Sequence, residues 1–226
     1  MDSYRTFVAI ELPHALRAKL IEHIQQLRRE APDARASWSR ENNLHLTLKF
    51  LGNIPVSEIR KLSSAVARAV TAVRPFELTV AGCGVFPPKG RPNVLWIGVE
   101  DTSAGMLADD RGHLARASLS EGDDSRHSAL SVIPSPLATL QSAIEDECSK
   151  AGFAHEQRPF HPHLTIARLR KHGDERRLAE AHQKLGFNNE TFSVSEVVVF
   201  KSELLPQGSK HTPISRHPLQ ISTWDK

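Results

Sequence analysis

The sequence predicts a duplicated fold of alternating strands and amphipathic helices, and three observations carry that prediction. The tetrad His-Leu-Thr-aliphatic occurs twice, in HLTLKFLG at 45–52 and HLTIARLR at 163–170, each time inside a strand-like run. The order strand, helix, strand, helix, strand occurs on both sides of the middle of the chain. The spacing between equivalent residues changes sharply at one place: Glu100 lies 89 positions after Glu11, whereas His163 lies 118 after His45 and Phe192 lies 116 after Phe76.

Each element has a local reason. TFVAIEL (6–12) alternates as a half-buried strand does. Pro13 then opens the helical pattern PHALRAKLIEHIQQLRRE, with proline at its favoured first position. HLTLKFL forms a strand bounded by Gly52, and Ser57 is placed as N-cap of SEIRKLSSAVARAV with Val56 as a hydrophobic staple. FELTVAG (76–82) and NVLWIGVE (93–100) read as strands around a Gly/Pro-rich loop. In the second half LWIGVE matches TFVAIE, and PLATLQSAIEDECSKAG runs as a helix from Pro136 to a C-terminal Gly152. PFHPHLTIAR supplies the second motif strand, DERRLAEAHQKLG a helix, and TFSVSEVVVF (191–200) a strand in the place of PFELTVAGCGVF.

The jump in spacing puts about 29 extra residues between Glu100 and the helix at Pro136. Residues 101–135 are rich in Ser, Gly and Asp, and carry six acids and three Arg; their net charge of −3 leaves +6 on the rest of the chain. So long a connector is uncommon inside a compact domain, and a flexible surface insertion between the halves is expected here. The remainder closes as a single bilobal domain over 1–226, its lobes interleaved around a pseudo-twofold axis.

Composition narrows the function classes. The chain of 226 residues has room for one large domain or two fused lobes, and 39% hydrophobic with 24% charged residues is an ordinary soluble balance. A run of about 18 apolar residues is missing, so no membrane partner is expected. The N-terminus lacks the basic start, apolar stretch and small-residue site of a secretory signal. Cys83 and Cys148 are too few for a disulfide framework, which points to a cytoplasmic protein. The net charge of +3 does not by itself argue for nucleic acid.

Alternate side chains of a strand share a face. His45, Thr47 and Lys49 therefore point one way, with Leu44, Leu46, Leu48 and Phe50 toward the core. His163 and Thr165 likewise share a face, with His161 beside them. A pseudo-twofold would set the two His-Thr faces across one cleft. With unperturbed pKa near 6.5, one imidazole can take a proton from water while the other protonates a leaving oxygen. The threonine hydroxyls are placed to hold non-bridging phosphate oxygens. Two other readings stand beside this one. His161 and His163 could form a metal-ligand pair, although the sequence shows no companion ligand cluster. His155, His172, His182, His211 and His217 read most simply as surface residues.

The segments FVAIELP, NNLHLTLKFLG (42–52), RPNVLWIGVE, RPFHPHLTIARLR (158–170) and VSEVVVFKSEL resemble the two-histidine phosphoesterases, specifically the RNA 2′,3′-cyclic phosphodiesterases once described as 2′-5′ RNA ligases. The resemblance implies an α+β bilobal duplicated fold, with two antiparallel sheets lining a central cleft and helices outside. It implies hydrolysis of RNA or nucleoside 2′,3′-cyclic phosphates to 2′-phosphate ends, with no metal and no cofactor. By position, His45 is the proton donor to the departing 3′ oxygen, His163 the proton acceptor that activates water, and Thr47 and Thr165 the phosphate clamps. Phe50 matches a position that stacks on a base, and Arg168 a position often held by Arg, although strand alternation turns both away from their histidines. His161 completes the possible substrate contacts. A monomer is expected. The competing functions are an RNA- or nucleotide-binding module without turnover, and phosphodiester or 2′-5′ ligase chemistry on another substrate.

Overall fold

The computed structural model describes residues 2–101, 106–108, 114–116, 131–132, 135–170, 174–206 and 208–220. In chain order its elements are β1 (Ser3–Glu11), α1 (His14–Glu30), β2 (Ala36–Trp38), β3 (His45–Pro55), α2 (Ile59–Ala69), β4 (Phe76–Phe86) and β5 (Val94–Asp101). Three short strands follow, β6 (Met106–Ala108), β7 (Leu114–Arg116) and β8 (Ser131–Val132). The chain continues with α3 (Pro136–Lys150), β9 (His163–Leu169), α4 (Glu175–Leu185), β10 (Glu190–Val194), β11 (Glu196–Leu205) and β12 (Gly208–Pro218).

Two antiparallel sheets make the frame, as the α+β expectation requires. The first has the order β12-β11-β1-β3 and the second β10-β4-β5-β9-β2. The order β11-β1-β3 in one corresponds to β4-β5-β9 in the other, so the strands carrying the two His-Leu-Thr motifs hold matching places. Helices α2 and α3 pack together on the first sheet, and α1 and α4 on the second. Their apolar stripes fill the interior: Leu20, Leu62, Leu140 and Ile144 are completely buried against Leu46, Ile97, Leu164 and Ile166. Each such side chain contributes roughly 1.5–3 kcal/mol on leaving water.

Burial in β1 is continuous from Thr6 to Ile10 rather than alternating. Its inner face joins the main core, while Phe7 and Ala9 form a second small cluster with Val198 and Phe200 on the opposite face. A central strand covered on both faces shows this pattern.

The helix ends follow the sequence at α3 and depart from it at α2. Ser135 caps α3, its hydroxyl accepting from the Ala138 N–H. Beyond α3, Gly152 donates to the Ser149 carbonyl and Phe153 to that of Cys148, the paired bonds of a Schellman turn. Ser57 does not cap α2. It sits inside a 3₁₀ turn, Val56–Glu58, and the α-helix begins at Ile59 without a side-chain cap.

The segment expected to be a single strand at 191–200 is two strands in two sheets. Residues of β10 pair with β4, and after Ser195 those of β11 pair with β1. Within the region read as an insertion, β6 pairs with both β7 and β8; most of the rest of that region lies outside the described residues. No helix among the described residues is long and apolar enough to cross a membrane.

Candidate active site

The two motif strands share one burial pattern, residue for residue, over seven positions. In HLTLKFL and HLTIARL alike the first, third and seventh residues are half-buried, the sixth is exposed, and the second, fourth and fifth are buried, so two buried residues stand side by side in the middle. Those adjacent pairs, Leu48–Lys49 and Ile166–Ala167, mark β-bulges. Opposite β1, Lys49 pairs with Val8 and Thr47 with Ala9, so Leu48 is the extra residue. Opposite β5, Ala167 pairs with Leu95 and Thr165 with Trp96, so Ile166 is the extra one. A bulge adds one residue to one strand and re-aims everything after it.

Three expectations from simple alternation are thereby corrected. Phe50 does not enter the core; it is 56% exposed, on the face of His45 and Thr47. Arg168 likewise turns to the face of His163, close enough for its charge to act on that imidazole. Lys49 goes the other way, into the core, at 3% exposure. There its ammonium donates to the Glu145 carboxylate and the Ala154 carbonyl.

His45 lies on an aromatic floor. Phe7 stacks on its ring at 4.7 Å between centroids, and Phe200 lies beyond at 6.3 Å. The ring of His211, from β12, meets it edge-on at 5.1 Å. Burial first, and then the His211 charge, push the His45 pKa down to about 4, against a hydrogen bond to the Asn43 carbonyl. The imidazole is therefore neutral in the empty cleft at pH 7.

His163 is held in the same manner by the residue two positions before it. Its Nδ1 donates to the His161 carbonyl at 2.7 Å, which leaves Nε2 as the reactive nitrogen. Phe86 meets its ring edge-on at 5.1 Å, and Trp96 lies at 6.4 Å. Trp96 reaches this place because it lies across Gly84, where any Cβ would overlap the indole. Burial, then Arg168 and His161, lower the His163 pKa, again opposed by the carbonyl bond. Among the described residues, neither the Thr47 nor the Thr165 hydroxyl is tied up in a hydrogen bond. The approach to β3 is pinned to the other motif: Ser39 donates its hydroxyl to the Thr165 carbonyl and its N–H to that of Ile166. β3 and β9 thus lie beside each other although they belong to different sheets.

Three histidines read as surface residues are not. His211 borders the site, and its Nδ1 is buried without a partner among the described residues. His182 is completely buried, and His217 is 7% exposed. His155 is exposed as expected, and His172 lies outside the described residues. His211 sits in the polar stretch GSKHTPISRHP, where only its alternation with Lys210 and Thr212 hints at a strand.

His182 bonds to His23 at 3.0 Å and, through Nε2, to the Trp96 carbonyl at 2.9 Å. Cys83 comes near the pair because Gly82, at φ 72°, takes up a bulge that turns the thiol to the helix side. His23, Cys83 and His182 are the one group of ligand-type side chains close enough to share a cation among the described residues. It lies behind the second sheet, away from the His-Thr face, and the histidines already satisfy each other. Burial, and then His182, depress the His23 pKa to about 4. The unfolded chain therefore takes up this proton first as pH falls below 6.5, so the stabilisation is complete above 6.5 and is lost toward pH 4. His23→Gln keeps a donor toward His182 but cannot titrate. Denaturant melts at pH 7 and pH 4.5 should show the variant losing about 2–3 kcal/mol less than wild type on acidification. Equal losses would refute the assignment.

Two imidazoles, each anchored through a backbone carbonyl and flanked by a threonine hydroxyl with no hydrogen bond among the described residues, suit proton transfer in which the neutral ring accepts a proton and the other, protonated beside a bound anion, gives one up. The comparisons agree with such chemistry. Residues 10–96 and 131–211 match the family described as LigT-like phosphoesterase. The RNA 2′,3′-cyclic phosphodiesterase of Methanothermobacter thermautotrophicus is 31% identical over 92% of this chain and 95% of its own. That of Thermotoga maritima is 29% identical over 90% of this chain and 89% of its own. Among solved structures, Escherichia coli LigT complexed with 3′-AMP superposes with a TM-score of 0.64 at 23% identity, over 97% of this chain and all of the other. With a family match that spans both motifs and most of both sheets, the chain belongs to the LigT-like phosphoesterases.

Proposed function

We propose that this chain hydrolyses the 2′,3′-cyclic phosphate of RNA ends or nucleosides to a 2′-phosphate, without a metal or other cofactor. His163, through Nε2, takes a proton from the attacking water, and His45 gives one to the departing 3′ oxygen. Thr47 and Thr165 donate to the non-bridging oxygens. Phe50, Arg168 and His161 border the substrate: Phe50 for a base, Arg168 for phosphate charge. The observation that carries the reading is the duplicated constellation, in which carbonyl-anchored imidazole, threonine and bulge recur at the same three offsets on β3 and β9. The names of the relatives support the substrate.

The test is direct. Purified protein stripped with excess EDTA should convert 2′,3′-cyclic CMP to 2′-CMP, identified by chromatography against both isomers. Activity that disappears with EDTA and returns with Zn²⁺, Mg²⁺ or Mn²⁺ would overturn the metal-free mechanism, and a 3′-CMP product would overturn the assigned leaving group. The protein is read as a monomer acting in the cytoplasm, a location with which its two free cysteines are consistent. Residues 101–135 are read as dispensable for folding. A short Gly/Ser linker in their place should leave one cooperative thermal transition, and a molten or insoluble product would place them in the core.

A further inference from the structure

On the outer flank of β2 lies a cavity of about 770 Å³ whose lining includes Arg28, Arg29, Arg35, Arg170, Gln25 and Trp38. No acidic side chain among the described residues lines it. Among the described residues none of the four arginines is paired with a carboxylate; Arg170 makes only a long bond of 3.3 Å to the Ser37 hydroxyl. Arg28 and Arg29 occupy the last turn of α1, where the helix dipole favours cations. That accounts for two of them. Arg35 and Arg170 lie outside the helix and are brought together by the bond from the Arg170 N–H to the Arg35 carbonyl. Four guanidinium groups around one hollow repel each other unless an anion sits among them. Each offers the planar fork that suits phosphate.

The cavity has a fixed relation to the catalytic face. β2 is the edge strand of the second sheet, paired with β9. Ser37 stands opposite Arg168, on the face of His163, while Ala36 and Trp38 turn to the other side. Arg170 bridges the two sides through Ser37. A strand of nucleic acid with its 3′ end between the histidines would pass Arg168, cross this narrow edge and meet the arginines. Trp38, half-buried in the lining, offers an indole face to a base.

We propose that this cavity is a second phosphate site, which holds the backbone of an RNA strand upstream of its cyclic-phosphate end. The inference rests on the proposed function and extends it from the terminal nucleotide to the strand behind it. The site contributes affinity for oligonucleotides and none for mononucleotides.

The experiment compares wild type with Arg35→Gln/Arg170→Gln, both exposed enough to substitute without opening the core. kcat/KM is measured on 2′,3′-cyclic CMP and on single-stranded oligonucleotides of two to eight residues ending in 2′,3′-cyclic phosphate. Wild type should improve with length, and the variant should lose at least about 10-fold of that gain while cyclic CMP turnover is unchanged. The salt dependence of oligonucleotide binding, read by anisotropy on the His163→Ala background, should flatten by about 1.4 log units per log unit of salt, roughly 0.7 for each lost phosphate contact. An unchanged length gain or salt slope overturns the proposal. So does ATP that displaces the oligonucleotide from the cavity more tightly than a free oligonucleotide does, since the cavity would then be a nucleotide site. If cyclic CMP is not hydrolysed at all, the failure is that of the catalytic reading, and the anisotropy arm still reports on the cavity.

Discussion

His163→Ala is expected to fold normally and to lose roughly 10²–10⁴ of kcat/KM on a 2′,3′-cyclic nucleotide. His45→Ala should do the same, and the double variant should lose much less than the product of the two if the pair act as proton donor and acceptor in one unit. Thr47→Ala and Thr165→Ala cost less, about 1–3 kcal/mol each for a lost charge-assisted hydrogen bond. The pH profile carries a further expectation. Both imidazoles have lowered pKa values in the empty cleft, His45 at about 4. The profile of kcat/KM, which reports the free enzyme, should therefore be a bell centred below 6.5. A bound phosphodiester anion stabilises both imidazolium forms, so the kcat bell should lie at higher pH. The decisive result is the rate of folded His163→Ala. If it equals wild type, the two motifs are not one site.

Lys49→Met is expected to be the most destabilising single change outside the active site. The ammonium and the Glu145 carboxylate are almost wholly enclosed, with side-chain exposures of 1% and 6%. One carboxylate oxygen bonds to the ammonium and to the Glu156 N–H; the other has no partner among the described residues. Removing the lysine leaves an uncompensated buried charge, at a cost of about 3–5 kcal/mol. For a chain of this size that lowers the thermal midpoint on the order of 10 °C. Lys49→Met/Glu145→Leu should recover most of the loss, since an apolar pair of similar volume suits the site as well. A double variant as unstable as the single one would show that packing, not charge, is the cause.

The sequence exposed the duplicated His-Leu-Thr strands because both repeat the same tetrad at equivalent places in the two halves. It exposed α3 at both ends because Pro136 suits a first helical position and Gly152 a C-terminal turn; the Ser135 cap was found only in the structure. What stayed hidden was local irregularity without a compositional mark. The bulge at Leu48 lies between Thr47 and Lys49, and that at Ile166 between Thr165 and Ala167, and nothing in those letters says that the faces exchange there. A buried lysine contradicts the usual cost of burying charge, and only Glu145, 96 residues away, makes Lys49 tolerable there. β2 is three residues long, too short for any periodicity, and the polar β12 reads as loop. His211 was out of reach for that reason: its partners Phe7 and His45 come from strands some 160 to 200 residues earlier in the chain.

The break at Ser195 belongs to a wider property of the path. The chain passes between the sheets four times: from β1 to β2, from β2 to β3, from β3 to β4, and from β10 to β11. The second and fourth passages are short, six residues and a single residue. Domains that open and shut turn on one or two connections that absorb the rotation. Here any rotation of one sheet against the other would have to move four connections at once, two of them short. The relative placing of β3 and β9 is therefore held by the covalent path of the chain as well as by packing. A ligand seated against both strands would then not have to offset the cost of closing a hinge between the two sheets.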